Sequence, residues 1–472
     1  MIQVKFCTKK YNSCLFVGLF LLFSFNIQTL LVAQTFDEKN KTESAEIEKS
    51  QEEEKSEAQK RRDTINYGLD SEVSELIETL IKDDDNGYTD SLIDLFKVSS
   101  NRDVREKIIT YCSHFKIPDL KDYALTLLED PYDENKETVS LVCNYVKTLK
   151  INEAAPALQA MLETENKTYY YMAISALAVV GGPEQAVFLS KMFDDDDLDI
   201  NVRQELVKAL GELKAVETWD KLKDLAEDEN ENLYVRMYAA EAIGEMKKPE
   251  SIDVLINLFD SSDPSIREYV LKGLSNYTDK KVQNLIVSAV KDNYWKVRKQ
   301  AILIVKDQKI EAAAPYLRYR AQNDSESVIV YEAMESLAVL NDKEGVDFLI
   351  KTVKDTKKND VLRSKSAEAL LKNNINRGYD AVIEAASETL ENDHLKKLRY
   401  ALGKLFAKYP NSAWRDICEK YLYNKDVATK GTGLDIYNKN RYLTLTSMVK
   451  LMAENDESTA IKNKAKLILE KD

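Results

Sequence analysis

A stretch of about 33 residues recurs from near Asn101 to the C-terminus, and this recurrence limits the fold more than any single residue does. The copies align on a Val-Arg-like pair: Val104-Arg105, Val202-Arg203, Val235-Arg236, Ile266-Arg267 and Val297-Arg298. Weaker copies fall at Val139, Tyr171, Val328, Val361, His394, Val427 and Ile461. Neighbours lie roughly 31 to 35 residues apart, the period of a stacked helix-pair array. A unit this short encloses no core alone, so it buries its apolar face against the next unit.

The stretch from Ala215 to Met246 shows the grammar of one unit. Val216, Trp219, Leu222, Leu225 and Ala226 form a helical apolar stripe. The acidic run from Glu227 interrupts it, and a second stripe begins at Leu233. Lys248-Pro249-Glu250 then opens the next unit, with Pro suited to a first helical turn. Pro118, Pro156, Pro183 and Pro315 stand at equivalent turns. With only 13 Gly and 8 Pro in 472 residues, the chain lacks the punctuation of a strand-and-turn protein. These features predict an all-α fold, an α-α superhelix of about a dozen helix pairs occupying residues 71–472.

Lys5, Lys9 and Lys10 precede an apolar stretch from Cys14 to Phe25, and the small residue Ala33 follows Leu30-Leu31-Val32. This pattern reads as a secretory signal peptide over residues 1–33, with an uncleaved membrane anchor as the alternative. The body is therefore expected outside the cytoplasm, periplasmic or associated with the cell envelope. Residues 34–70 are rich in Glu, Lys, Ser and Gln, and such a segment buries too little apolar surface to offset its ordering entropy. It reads as a disordered, charged linker, with a solvated helix as the alternative. Cys112, Cys143 and Cys418 remain after the signal, an odd and scattered set that makes no disulfide framework. They read as buried thiols, with a Cys112–Cys143 bridge left open.

Two copies carry a specific resemblance. Asn201-Val-Arg-Gln-Glu-Leu-Val-Lys-Ala-Leu-Gly-Glu-Leu and Val235-Arg-Met-Tyr-Ala-Ala-Glu-Ala-Ile-Gly-Glu-Met resemble HEAT repeats of the phycobilisome-lyase type. The likeness is specific over roughly 199–340 and thins toward both ends. It implies a helical-repeat solenoid, and its name brings a bilin lyase to mind, which the residues themselves do not support. Some HEAT-repeat proteins hold di-iron through His-Glu pairs. Here His114 precedes Phe115 and His394 precedes Leu395, so that site is not expected.

Formal charge is −14, and loss of the three leader lysines leaves −17, which disfavours nucleic acid as a partner. The arginines Arg105, Arg203, Arg236, Arg267 and Arg298 recur once per unit, near acids such as Asp103, Asp199 and Asp263. They are expected to form a structural ladder, each bridging to an acid of an adjacent unit or to loop carbonyls. Asp83-Asp84-Asp85-Asn86-Gly87 and the run Asp194 to Asp197 do not fit the alternating ligands of a calcium loop and read as solvated or capping acids. No metal site, cofactor or small-molecule substrate is expected.

Charge polarity is the remaining signal. Lys396 to Lys450 holds twelve Lys and Arg against four Asp and Glu, with tyrosines interleaved. The expected contact residues are Lys396, Lys397, Arg399, Tyr400, Lys404 and Lys408. The leading expectation is a non-enzymatic scaffold that binds a protein or peptide partner on its concave surface. The alternatives are binding of a cell-envelope glycan or anionic lipid, and a lyase-related enzyme.

Overall fold

The computed structural model describes residues 57–470 except 194 and 196. The expected signal peptide and residues 34–56 of the expected linker lie outside the described residues. The rest of that linker is not loose chain. Residues 57–67 are helical, Ile65 is buried, and Arg61 donates to Asp85 at 3.0 Å. One apolar anchor and the ion pairs of Arg61 with Asp83 and Asp85 are what the composition of the segment concealed.

Among the described residues there is no strand, and no helix is long and apolar enough to cross a membrane. Contacts divide the chain into two compact units, 1–176 and 177–472, with the division inside the helix Tyr170–Val180. Each unit is a stack of helix pairs. In the first, Arg102–Phe115 and Lys136–Leu149 are second helices, paired with Thr89–Val98 and Lys121–Glu129. In the second, the second helices include Ile200–Glu212, Leu233–Glu245, Pro264–Leu274, Trp295–Gln308, Ser327–Leu340, Asp360–Lys372, Lys396–Lys408 and Val427–Asn440.

The Asn or Asp before four of the five Val-Arg pairs is a helix cap, Val297-Arg298 following Tyr294 instead. Asn101 accepts from the Val104 N–H, Asp199 from Asn201, Asn232 from Tyr234, Asp263 from Ser265, Asn359 from Leu362 and Asp426 from Thr429. Each cap satisfies an N–H that the first helical turn leaves without a partner. At the other end the chain turns through a left-handed residue at Lys116, Lys150, Lys214, Lys247, Lys309, Asn341, Asn374 and Arg441. Ile117 then donates back to Cys112 O at 2.8 Å, Ile151 to Val146 O at 2.9 Å and Ile310 to Val305 O at 3.0 Å. This closes each helix and buries the isoleucine beneath it.

Small residues let the second helices approach closely. A Cβ built on Gly244 would lie 2.3 Å from the Cα of Gly273, and one on Gly211 would lie 2.7 Å from the Cβ of Ala242. The core beside these contacts is aliphatic: Val235, Ala239, Ala240, Ile243, Val270 and Leu274 are fully buried.

Candidate binding surface

The arginine of each Val-Arg pair points back toward the first helix of its own repeat and, Arg236 excepted, forward toward the next. In the second unit Arg267 donates to both carboxylate oxygens of Asp292, at 2.8 and 2.9 Å, and to Ser261 O at 2.8 Å. Arg298 reaches Asp324 at 2.7 Å and Asp292 O at 2.9 Å; Arg203 reaches Glu231 at 3.1 Å. Arg236 donates to Ala226 O at 3.4 Å. In the first unit Arg105 differs, with its guanidinium over the rings of Phe96 and Tyr123, 4.4 and 4.9 Å from their centroids. Asp199 and Asp263, the nearby acids in the sequence, cap their own helices, and the acids that take the guanidinium come from the following loop.

The ladder continues past the residues the sequence marked. Arg363 donates to Val353 O at 2.9 Å and to Glu388 at 2.8 Å. Arg399 donates to Thr389 O at 2.9 Å and to Asp393 at 3.1 Å, with its side chain fully buried. Arg399 is thus a rung of the ladder and corrects its assignment to a partner surface. Its helix starts after Leu395, which has no capping side chain, so the polar cap that marks most other rungs four residues earlier is missing from the sequence.

The other expected contact residues separate likewise. Tyr400 donates to Asp426 at 2.6 Å, and Lys396 lies 3.4 Å from the same carboxylate. The Tyr400 hydroxyl holds Asp426 well below the usual carboxylate range, helped by Thr429 and Lys396 against the effect of burial. Lys408 pairs with Glu368 at 3.1 Å. Lys397 and Lys404 stand exposed, with no ion pair among the described residues. Beyond this helix, Lys430 bonds Asp456 at 2.6 Å, and Arg415 pairs with Asp416 and Glu419. Much of the basic excess is therefore paired with acids of the same helix or of adjoining repeats. A groove of about 1090 Å³ borders it, lined by residues of both signs, among them Glu391, Lys396, Arg415, Glu419 and Asp426.

Sequence reasoning passed over one carboxylate cluster on the second helices. Close packing at Gly211 and Gly244 brings Glu212, Glu241 and Glu245 near one another. Burial, then repulsion from Glu241 and Glu212, pushes Glu245 up to about 7. Glu241 is raised as well, first by burial, with Lys272 and Lys208 opposing. Those ammonium groups sit over tyrosine rings, Lys272 at 3.4 Å from the Tyr269 centroid and Lys208 at 4.2 Å from that of Tyr238. The glycines were visible in the sequence, but the convergence of the acids depends on which helix face each occupies.

His114 approaches Asp84 at 3.5 Å and His394 is exposed in a different unit. Among the described residues no three His, Cys, Asp or Glu side chains are placed to hold a metal ion. Asp85 accepts from the Gly87 N–H as a turn residue, and Asp194 and Asp196 of the second acidic run lie outside the described residues. Cys112, Cys143 and Cys418 are free and buried, with burial pushing each thiol up to about 12.

Residues 65–468 match the pattern of the spirochaete HEAT-repeat proteins. The chain belongs to that family. No curated protein matches this HEAT-repeat chain. Among solved structures, YibA of Escherichia coli aligns at 17% identity over 58% of this chain and 97% of its own, with a TM-score of 0.36. The CpcE–CpcF complex of phycocyanin lyase from Nostoc covers 46% of this chain and 87% of that one, at 17% identity and a TM-score of 0.32. A karyopherin bound to the extreme C-terminus of a protein phosphatase covers 86% of this chain and 53% of its own, at 11% identity and a TM-score of 0.40. Identities this low speak to the fold alone.

Proposed function

We propose that this HEAT-repeat protein is a non-enzymatic scaffold, working outside the cytoplasm, that grips a protein or peptide partner on the inner face formed by its second helices. The observation that carries this reading is a set of apolar side chains left in water at one repeat position of the second unit. Tyr234 and Val361 are 53% and 49% exposed, and each stands two residues after the cap of a second helix. Solvent exposure of an aromatic or branched apolar group at a recurring position is a feature of interaction surfaces. A surface already ordered by the core and by the arginine ladder loses little entropy when a partner docks.

The alternative, an anionic envelope polymer or lipid on the basic end, has less to stand on, since Lys396, Lys408, Lys430 and Arg415 have internal acid partners. The test is affinity capture from envelope fractions with the full chain and with Tyr234→Asp/Val361→Asp. Loss of specific proteins in the variant supports the reading, and an unchanged set overturns it.

A further inference from the structure

One position near the start of the second helices of the second unit recurs on the solvent side. It is the residue two before each ladder position, so on a helix it lies about 200° around from a side chain that points back to the first helix. Counting from Arg298, Arg363 and Arg399, and from the buried Val330 that takes the arginine's place, four consecutive repeats place Lys296, Val328, Val361 and Lys397 in a row, with Tyr234 and Ser265 before it and Ala428, two residues before Lys430, after it. Lys296, Val361 and Lys397 are exposed and Val328 half-exposed. Neither Lys296 nor Lys397 has an ion pair among the described residues, and no acid occupies the row. The two lysines that bracket Val328 and Val361 contrast with the paired charges farther along the same helices, where Lys306 meets Glu332, Lys372 meets Glu335, and Lys408 meets Glu368.

The geometry points to an extended peptide segment carrying acidic and apolar side chains in a three-residue register, laid across the row with carboxylates at Lys296 and Lys397 and apolar groups at Val328 and Val361. Packed helices lie roughly 10 Å apart, and an extended chain advances about 3.3 Å per residue. Each repeat is therefore matched by about three residues of peptide, and the three steps from Lys296 to Lys397 by about nine. The order Lys, Val, Val, Lys reads the same in both directions, so charge alone leaves the peptide's polarity open. This inference rests on the inner-face reading and adds the chemistry of the occupant.

The test uses the full chain and a fluorescein-labelled ten-residue peptide with Glu at positions 1 and 10, Leu at 4 and 7, and Ser or Gly elsewhere. Two controls accompany it: the same composition with Glu and Leu shuffled out of register, and a version with Lys in place of Glu. Fluorescence anisotropy is expected to show at least tenfold tighter binding of the in-register acidic peptide. Lys296→Gln/Lys397→Gln should remove that preference, while Lys343→Gln/Lys357→Gln, the same charge change off the row, should keep it. Equal binding of the shuffled or lysine peptide, indifference to Lys296→Gln/Lys397→Gln, or no measurable binding overturns the inference. If envelope capture still depends on Tyr234 and Val361 in that event, only the occupant's chemistry is wrong; if capture is also indifferent, the inner-face reading fails with it.

Discussion

Arg298 and Asp324 meet across one repeat boundary at 2.7 Å, with 8% of the arginine side chain and none of the aspartate side chain exposed. Two backbone carbonyls, of Asp292 and Asn293, take further donors from the same guanidinium, and Arg320 contacts the other carboxylate oxygen at 3.2 Å. Burial alone would raise the Asp324 carboxyl, but Arg298, the Glu326 N–H and Arg320 outweigh it and hold the group below its ordinary range. Removing one partner of such a pair leaves a buried charge without its counterion. Arg298→Met is expected to lower stability by about 3 kcal/mol, the low end for a broken buried pair because Arg320 remains. Arg318→Met, at the partly exposed pairs with Asp342 and Glu344, should cost under about 1 kcal/mol. Urea unfolding followed by circular dichroism compares the two.

Two glycine substitutions should act with opposite sign. Gly244→Ala drives a Cβ to within 2.3 Å of the Gly273 backbone, which cannot rotate away, so the helices must separate. The expected loss is about 1–3 kcal/mol, the range for overpacking a tight core. Gly431 lies inside the helix Val427–Asn440, and a Cβ there meets nothing nearer than 3.8 Å. Gly431→Ala should therefore stabilise by about 0.5–1 kcal/mol through helix propensity. Thermal melts of both variants check the contrast.

The raised carboxyl of Glu245 gives stability a pH dependence. The folded protein holds a proton there at a pH where an unfolded glutamate has lost it, so the folded state is favoured at low pH. That contribution is present below pH 4.5 and is lost as pH rises through about 7. For a carboxyl partly open to water the loss should be about 1–2 kcal/mol. Glu245→Gln should flatten the slope between pH 5 and 8 in urea titrations. A slope unchanged by the substitution would place the proton elsewhere.

The helix Lys396–Lys408 shows how much of the molecule its sequence discloses. Period, helix order and the role of the Val-Arg arginines follow from spacing, because each reflects a local repeat of cap, rung and apolar stripe. Which lysines stay in water does not, because it depends on acids about 30 to 40 residues away, such as Glu368 opposite Lys408. Arg399 and Lys397 are two residues apart on one helix and have opposite fates. Arg399→Ala should therefore destabilise the chain by about 3 kcal/mol or more as a buried, multiply bonded charge. Lys397→Ala should fall within about 0.5 kcal/mol of the parent. Equal effects in denaturant titrations would return Arg399 to the surface.

Docking on the inner face is tested most directly by a photo-crosslinking side chain placed at Val361 in one protein and at Val187 in another. Both positions are exposed, Val361 on a second helix and Val187 on the first helix Pro183–Met192. Irradiation in cells should join the protein to a specific partner from position 361 and leave position 187 unlinked. Crosslinks from 187 with none from 361 would contradict the inner face as the place of binding.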